Sequence, residues 1–280
     1  MYSYNAAVRD GRLDIPKFIH TAKQAGAEGV ELLDYFYPGG TAGPDVPAAR
    51  ELARSALAET GLPVPIFSVS NNFAKLDPAD REAQVNRIRF GVDEALEYGA
   101  KVVRVFAGDV AEGLTFDLVR SWIVEGLASA SVYAHDRGVK LALENHGKLA
   151  GRGEQVRGLI EDVRNSAGND ALGANPDTGN FLLVDQPSHE AIGEVGSLAN
   201  MVHFKDFMPA PADYSEWTYD SLGGKKYLGA CVGEGLVELG SCIDLLKRSG
   251  FDGWLSVEYE GIEDPMTAVP RSIENARKFL

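Results

Sequence analysis

The feature of this chain that most constrains its fold is a regular alternation of helical and strand patterns along its whole length. In the clearest unit, Asp77 can cap a helix predicted over 78–98, Gly99 can end it, and the apolar run 101–106 follows as a buried strand. The helix carries one apolar stripe at helical spacing, formed by Val85, Ile88, Val92, Ala95 and Leu96. The unit is therefore predicted to be a helix that leads directly into a parallel strand.

The same unit recurs until eight strands are counted. Strands are predicted at the N-terminus and over 29–33, 64–69, 101–106, 139–143, 172–175, 201–204 and 253–257. Helices are predicted over roughly 14–25, 45–60, 78–98, 115–137, 153–165, 187–198, 238–249 and 265–279. This alternation is typical of parallel strands covered by helices. Eight units in 280 residues favour one closed (β/α)8 barrel, or TIM barrel, over residues 1–280. The first strand has no GxGxxG motif after it, which argues against a dinucleotide-binding fold.

One segment breaks the alternation. Residues 208–235 have no sustained period and carry Trp217, Tyr219 and Tyr227. A long irregular segment in a compact domain usually has a function, and this one follows the strand over 201–204 on the active-site side of such a barrel. We predict a lid over the barrel mouth. The alternative is a surface excursion packed by its own aromatic side chains.

Composition excludes several classes of partner. The net charge is −14, from 41 acidic and 27 basic residues, so the chain would on average repel nucleic acid. No run approaches the roughly 18 apolar residues of a membrane span, and the N-terminus does not resemble a secretion signal. Cys231 and Cys242 have no metal-binding spacing. We expect a reduced, cytoplasmic protein without nucleic-acid or membrane partners.

Four residues suited to bind a metal stand at the ends of the last four predicted strands. They are Glu144, Asp177, His203 and Glu258, in chain order. Because strand ends meet at one face of a barrel, these side chains could converge. Three carboxylates and an imidazole suit a six-coordinate divalent ion such as Mn²⁺, Mg²⁺ or Co²⁺ better than a structural zinc. Without a cation, the carboxylates would repel one another strongly.

Each of these residues also has a purely structural interpretation. Glu144 could pair with a helix terminus, Asp177 could be a turn residue, and His203 could be a hydrogen-bonded core histidine. Glu258 and Glu260 lie two residues apart and point to the same side of a strand, so either could be the ligand. The joint pattern on consecutive strands favours the metal site.

The motifs around these residues resemble those of the xylose isomerase-like barrel superfamily, and within it the sugar phosphate isomerases/epimerases of the tagatose 3-epimerase type. The motifs are Glu144-Asn-His, Pro176-Asp-Thr-Gly-Asn, His203-Phe-Lys-Asp, and Gly233-Glu-Gly before Val257-Glu-Tyr-Glu. The resemblance implies one Mn²⁺ ion, with Mg²⁺, Co²⁺ or Zn²⁺ as alternatives, on the four predicted ligands. It also implies a small sugar or polyol substrate and allows a homo-oligomer.

The implied chemistry is proton transfer through an enediolate. A ketone held with its neighbouring hydroxyl on a divalent ion loses its carbon-bound proton readily, and a carboxylate can accept that proton. We predict Glu144 and Glu258 as the catalytic pair. Transfer at one carbon gives epimerisation, and transfer between adjacent carbons gives aldose–ketose isomerisation. Candidates for substrate contact are His146, Asn180, Lys205, Asp206 and, at the end of the strand over 29–33, Glu31.

Three other functions stay open. A dehydratase or lyase acting on a keto-sugar or keto-inositol would begin with the same proton abstraction. An endonuclease IV-like phosphodiesterase needs three zinc ions and more histidines than the five present. A non-catalytic sugar-binding barrel is the third. Asn180 and Pro209 stand where the epimerase type has His and Arg, so substrate contacts cannot be transferred from that family. The sequence does not decide whether the substrate is phosphorylated, and we favour an unphosphorylated one.

Overall fold

The computed structural model describes residues 1–37 and 46–280. Seven parallel strands form a barrel wall, and three antiparallel strands form a separate small sheet. In chain order the strands are β1 (Glu31–Leu33), β2 (Ile66–Ser68), β3 (Val102–Phe106), β4 (Lys140–Glu144), β5 (Leu172–Asn175), β6 (Val202–Phe204), β7 (Asp206–Pro209), β8 (Tyr219–Asp220), β9 (Lys226–Ala230) and β10 (Leu255–Val257).

The helices alternate with the wall strands and cover them. They are α1 (Asn5–Arg9), α2 (Ile15–Gln24), α3 (Val46–Thr60), α4 (Pro78–Tyr98), α5 (Phe116–His135), α6 (Gly153–Ala167), α7 (Ser188–Val195), α8 (Leu239–Arg248) and α9 (Pro265–Arg277). None of the helices in the described ranges combines the length and apolar character needed to cross a bilayer.

Among the described residues, neighbouring strands of the wall are joined by parallel pairing, except between β10 and β1. Strands β1 to β5 are successive neighbours, and β10 pairs with β6 so that Ser256 lies opposite His203. A bridge between Asp177 and His203 joins the end of β5 to β6, and His203 N donates to Pro176 O at 3.1 Å. The predicted α/β barrel is therefore confirmed, with the ends of β4, β5, β6 and β10 side by side.

The prediction of a strand at the N-terminus is wrong. Tyr2–Tyr4 is a 3-10 turn that leads into α1. The segment still lies between β10 and β1, because Met1 N donates to Glu31 O at 3.0 Å and Ser3 Oγ donates to Val257 O at 3.0 Å. Tertiary contacts with both neighbouring strands hold the chain here without a strand ladder, and local β-propensity is outweighed.

Most predicted helices agree with the structure to within two residues. Asp77 accepts a hydrogen bond from Ala79 N at the start of α4, and Gly99 ends that helix at φ 75°. Leu96, which we placed in the apolar stripe, is 43% exposed. The helix predicted over 187–198 ends at Val195 and continues as a 3-10 turn, Gly196–Leu198. The helix predicted from residue 45 is described from Val46 onwards, since residues 38–45 lie outside the described ranges.

The segment 208–235 contains regular structure that its sequence did not predict. Strands β7, β9 and β8 form an antiparallel sheet in that order, with Tyr219 opposite Tyr227. Phe207 packs on both tyrosines, with ring centroids 5.0 Å from Tyr219 and 6.2 Å from Tyr227. Two of these strands are too short to produce a readable alternation. The sheet follows β6 directly, and its function as a lid stays a prediction.

Helix α5 approaches the barrel closely at Gly126. A Cβ atom there would overlap the fully buried ring of Phe73, whereas a Cβ at the exposed Gly193 of α7 would meet nothing within 4 Å. We expect Gly126→Ala to destabilise the fold by about 1–3 kcal/mol through overpacking. Gly193→Ala should stabilise it by about 0.5–1 kcal/mol through helix propensity.

Melting temperatures of the two variants measure this difference. A rise for Gly193→Ala with a fall for Gly126→Ala is the expected result. Equal shifts for both would show that α5 does not pack on Phe73 as described.

Candidate metal centre

The structure brings together all four residues predicted to bind a metal. Glu144 ends β4, Asp177 follows β5, His203 lies in β6, and Glu258 follows β10. One ligand-type atom from each lies within 4.8 Å of the others. Their side chains are buried, with Glu258 the most exposed at 13%. Neighbouring parallel strands thus deliver the set to one point at the barrel mouth.

The centre of the cluster contains buried polar atoms without hydrogen-bond partners. His203 Nδ1 lies 2.7 Å from Glu258 Oε2, 3.2 Å from Glu144 Oε2 and 3.9 Å from Asp177 Oδ2. Within the described part of the chain, His203 Nδ1, Asp177 Oδ2 and Glu258 Oε2 make no hydrogen bond. A buried polar atom left unpaired costs about 1–3 kcal/mol. One cation among these atoms would satisfy all of them, so the residues fit a divalent metal.

Glu31 fixes the orientation of His203 from the opposite side. Its carboxylate lies 3.1 and 3.3 Å from His203 Nε2, and it accepts hydrogen bonds from Ser68 Oγ and, at 2.7 Å, from Ser256 Oγ. Burial would raise the pKa of Glu31, but the positive charges of His203 and Arg104 lower it well below its usual range. The ionised carboxylate can only accept, so Nε2 donates to it and Nδ1 faces the cluster, where a bound metal would take the place of its proton.

This placement differs from the prediction for Glu31. The sequence analysis put Glu31 at the end of a strand, where it would contact substrate. The structure has it as the first residue of β1, inside the barrel and in contact with His203. The observed strand begins at Glu31, two residues after the predicted start, so Glu31 is its first residue and not its last.

Lys205 lies inside the cluster. Its Nζ is 3.1 Å from Asp177 Oδ2, 3.5 Å from Glu258 Oε2 and 2.6 Å from Glu260 Oε1. The contact with Asp177 is close but lacks hydrogen-bond geometry. The surrounding carboxylates raise the pKa of Lys205 well above its usual value although burial opposes this, so it stays charged. Lys205 is therefore a fixed positive charge beside the candidate ligands.

Fixed cations do not balance the charge of this cluster. Arg104 Nε lies 3.3 Å from Glu144 Oε2 and, with Lys205, supplies the two permanent positive charges. Burial raises the pKa of Asp177 to about 7 despite the opposing charge of Lys205, which shows how costly its ionisation is here. A divalent ion would offset most of the remaining negative charge. The carboxylates in contact are Glu31, Glu144, Asp177, Glu258 and Glu260.

Asp177 holds a turn with one carboxylate oxygen and keeps the other available as a candidate ligand. Its Oδ1 accepts hydrogen bonds from Gly179 N and Asn180 N, both at 2.8 Å. Asn145 holds the backbone of the same residue, because its side chain makes hydrogen bonds with both Asp177 N and Asp177 O. The turn thus immobilises one carboxylate oxygen and leaves Oδ2 directed at the cluster.

Two further predicted residues lie at or near the centre. Asn180 donates from Nδ2 to Glu144 Oε1 at 3.3 Å and accepts from Lys205 Nζ at 3.3 Å. The ring of His146 lies 4.3 Å from that of Phe106, and its Nδ1 is 3.4 Å from Asp109 Oδ1. Asn180 therefore joins the cluster directly, and His146 pairs with a different carboxylate.

Asp206 is directed away from the cluster. Its carboxylate accepts hydrogen bonds from Phe207 N, Gly233 N, Gly235 N and Val237 N at 2.9–3.0 Å. Gly233 has φ 83°, and a Cβ on Gly235 would overlap Asp206 Oδ1. The Gly233-Glu-Gly motif is thus explained by loop packing on Asp206.

Several supporting residues escaped the sequence analysis. They lie within apolar strand runs. The signal that could have identified them is a single polar residue on the inward face of such a run. They are Ser68, Arg104, Asn175, which donates to Glu144 Oε2 at 3.2 Å, and Ser256.

Removing the charge of Glu31 tests its effect on His203. We expect Glu31→Gln to weaken Mn²⁺ binding by about 10–100-fold, because the imidazole loses its ionised acceptor. Calorimetric titration of metal-free protein with Mn²⁺ measures the affinity, and melting temperature checks the fold. Glu28→Gln is the matched control, since Glu28 is an exposed carboxylate nearby in sequence. An unchanged affinity for Glu31→Gln would contradict the assigned role.

Solved structures of other proteins share this fold. A xylose isomerase-like TIM barrel protein from Mycobacterium smegmatis in complex with magnesium is 20% identical, with a TM-score of 0.71 over 94% of this chain and 86% of its own. The apo form of 3-keto-D-glucoside 4-epimerase from E. coli is 17% identical, with a TM-score of 0.70 over 95% of this chain and 94% of its own. At these identities the likeness shows the fold alone.

Sequence comparison gives a curated relative and a family. An inosose dehydratase from Lacticaseibacillus casei is 25% identical over 161 residues, which are 56% of this chain and 52% of the relative, so the match spans about half the length of that protein. Residues 19–279 match the family described as xylose isomerase-like TIM barrel. The match covers nearly the whole chain, and the protein belongs to the xylose isomerase-like TIM barrel family.

Proposed function

We propose that this protein is a metal-dependent isomerase or epimerase of a ketose or related keto-polyol, and that it moves a proton through an enediolate. The observation that carries the proposal is the cluster of three carboxylates and one imidazole, in which His203 Nδ1, Asp177 Oδ2 and Glu258 Oε2 lack hydrogen-bond partners among the described residues. Mn²⁺ is the expected ion, with Mg²⁺, Co²⁺ or Zn²⁺ as alternatives, and Glu144, Asp177, His203 and Glu258 would hold it.

Glu144 and Glu258 are the proposed proton carriers. A divalent ion, when bound, would polarise a ketone and its neighbouring hydroxyl and so acidify the carbon-bound proton. Burial opposes ionisation of Glu144, yet the charges of His203 and Arg104 lower its pKa. Burial likewise opposes ionisation of Glu258, and Lys205 and His203 lower its pKa well below the usual range. Both carboxylates are therefore ionised and able to accept a proton.

The two carboxylates come from β4 and β10, which β5 and β6 separate in the wall. A substrate between them would present opposite faces to Glu144 and Glu258. Removal of a proton by one and its return by the other at the same carbon inverts that carbon. Return at the adjacent carbon gives isomerisation instead.

Substrate hydroxyl contacts are proposed for Lys205, Asn180 and His146. Lys205 and Asn180 lie beside the ligands, and the imidazole of His146 is half-exposed. Asp206 and Glu31 contribute indirectly, through the loop backbone and through His203.

A dehydratase acting on a keto-inositol or keto-sugar is the second candidate. The similarity to an inosose dehydratase supports it, and so does the position of Lys205 beside Glu258. In that reaction a carboxylate takes the proton next to the ketone, the bond to a neighbouring hydroxyl breaks, and the departing oxygen takes a proton to leave as water. A charged ammonium near the cluster is suited to assist that departure.

A three-zinc phosphodiesterase is not favoured. In the described residues the second group with metal-like spacing is Cys231, Glu234 and Glu263, and Arg271 occupies it. The guanidinium lies 2.9 Å from Cys231 Sγ, 2.9 Å from Glu234 Oε1 and 2.7 Å from Glu263 Oε1. A non-catalytic sugar-binding barrel is less favoured because both proposed proton carriers are present and ionised. Cys231 and Cys242 are free and buried, which supports the proposed cytoplasmic location.

Exchange of a carbon-bound proton with D₂O tests the proposal. We expect Mn²⁺-loaded protein to label at least one member of a panel of ketoses, keto-inositols and their phosphates. Glu144→Gln and Glu258→Gln should each slow labelling by about 10²–10⁴-fold, as loss of an acid–base group does. Glu161→Gln, on the surface of α6, should match the native rate.

Bound metal is measured in the same samples, so that loss of the ion is separated from loss of the base. Labelling at the native rate in both Glu144→Gln and Glu258→Gln would rule out the assigned carriers. Absence of labelling across the panel by metal-loaded protein would rule out the proposed reaction for these substrates.

The product distinguishes the two candidate reactions. An isomerase or epimerase yields an isomer of the substrate with one deuterium in place of a carbon-bound hydrogen, whereas a dehydratase yields a product that lacks one water. Mass spectrometry of the labelled reaction detects either change. Loss of water would replace the isomerase proposal with the dehydratase.

A further inference from the structure

A polar crevice lies beside the metal centre and has no part in the chemistry described above. It has a volume of about 180 Å³ and lies between the N-terminal turn, strand β8 and the connection from β10 to α9. The residues that matter for its chemistry are Tyr2, Asn5, Tyr219, Glu260, Gly261 and Pro265.

Glu260 separates the crevice from the centre and contacts both. One carboxylate oxygen lies 2.6 Å from Lys205 Nζ, which in turn contacts Asp177 and Glu258. The other oxygen accepts a hydrogen bond of 2.6 Å from the hydroxyl of Tyr219. The crevice therefore adjoins the cluster across a single carboxylate.

The crevice walls are suited to hydroxyl groups. Asn5 Oδ1 is buried and has no hydrogen-bond partner among the described residues, so it needs a donor. The phenol hydroxyl of Tyr2 can donate and accept, that of Tyr219 donates to Glu260 and can still accept, and Glu260 can accept. Apolar contact surface comes from the two tyrosine rings and Pro265.

Its charge disfavours an anionic group. None of the described residues that line the crevice is Lys or Arg, and Glu260 brings a carboxylate to its wall. Phosphate sites in proteins use arginine or lysine side chains, or backbone N–H groups at a helix start. A phosphate placed here would face Glu260, with Lys205 on the far side of that carboxylate.

We propose that this crevice binds the uncharged, hydroxylated end of the substrate, away from the reacting carbons, and that the substrate is therefore an unphosphorylated polyhydroxy ketone. The proposal rests on the proposed function in treating the occupant as substrate. Because Tyr219 belongs to β8, the segment 208–235 supplies one wall of this site. Recognition of the remote hydroxyls then depends on that segment being in place.

Sorbitol, an open-chain polyol, is the probe for this site. We expect Mn²⁺-loaded protein to bind sorbitol in calorimetric titration, and Asn5→Ala and Tyr219→Phe each to weaken binding by about 10-fold. Tyr214→Phe, a matched change in the same segment but outside the crevice, should leave binding unchanged. Sorbitol 6-phosphate should bind more weakly than sorbitol. Melting temperature should stay at the native value in both variants, and Mn²⁺ affinity should stay at the native value in Asn5→Ala.

Two results would overturn the inference. One is native affinity for sorbitol in both Asn5→Ala and Tyr219→Phe, and the other is tighter binding of sorbitol 6-phosphate than of sorbitol. The proposed function fails separately, through absence of D₂O exchange. If these variants weaken sorbitol binding but the protein catalyses no D₂O exchange, the crevice is still a polyol site and the proposed reaction is wrong.

Discussion

Repulsion among buried carboxylates is the constraint on which the arrangement of this barrel mouth depends. At about 4 Å, two like charges repel by roughly 4 kcal/mol at an effective dielectric constant near 20. Lys205 and Arg104 offset part of this repulsion by direct contact with the carboxylates. Burial, together with repulsion from Glu258 and Glu144, raises the pKa of Asp177, and the remaining negative charge suits the cluster to a divalent ion.

The surroundings of the cluster hold its members in fixed positions. Glu31 and two serines orient His203, while Asn145 and a turn orient Asp177. Asp206 ties the loop after β9 to the start of β7, and Tyr219 contacts Glu260 from β8. The small antiparallel sheet is thus connected to the cluster through Glu260 and Lys205. Such support from outside the ligand set commonly determines metal affinity and ligand orientation.

Much of the fold and the four candidate ligands could be predicted from the sequence because they depend on local signals. Periodic apolar runs, with glycines at the ends of helices, indicate the helices and strands. Polar residues at the strand ends indicate the mouth of the barrel. The N-terminal turn could not be predicted, since contacts of Met1 and Ser3 with two distant strands determine it. The contacts of Arg104 and Glu31 could not be predicted either, because they depend on which strands become neighbours. Strand β8 was missed because its two residues are too few to show a strand pattern. Asp206 resembled a site residue because its role in holding a loop is not visible in a sequence motif.

X-ray absorption spectroscopy on protein loaded with Mn²⁺ tests the central claim most directly, because it reports both the presence of the ion and the atoms around it. The account predicts one tightly held ion per chain, with one imidazole nitrogen among otherwise oxygen ligands, and loss of the imidazole signal in His203→Ala. Absence of bound Mn²⁺, or a bound ion whose spectrum is the same in His203→Ala, would contradict a metal centre built on Glu144, Asp177, His203 and Glu258.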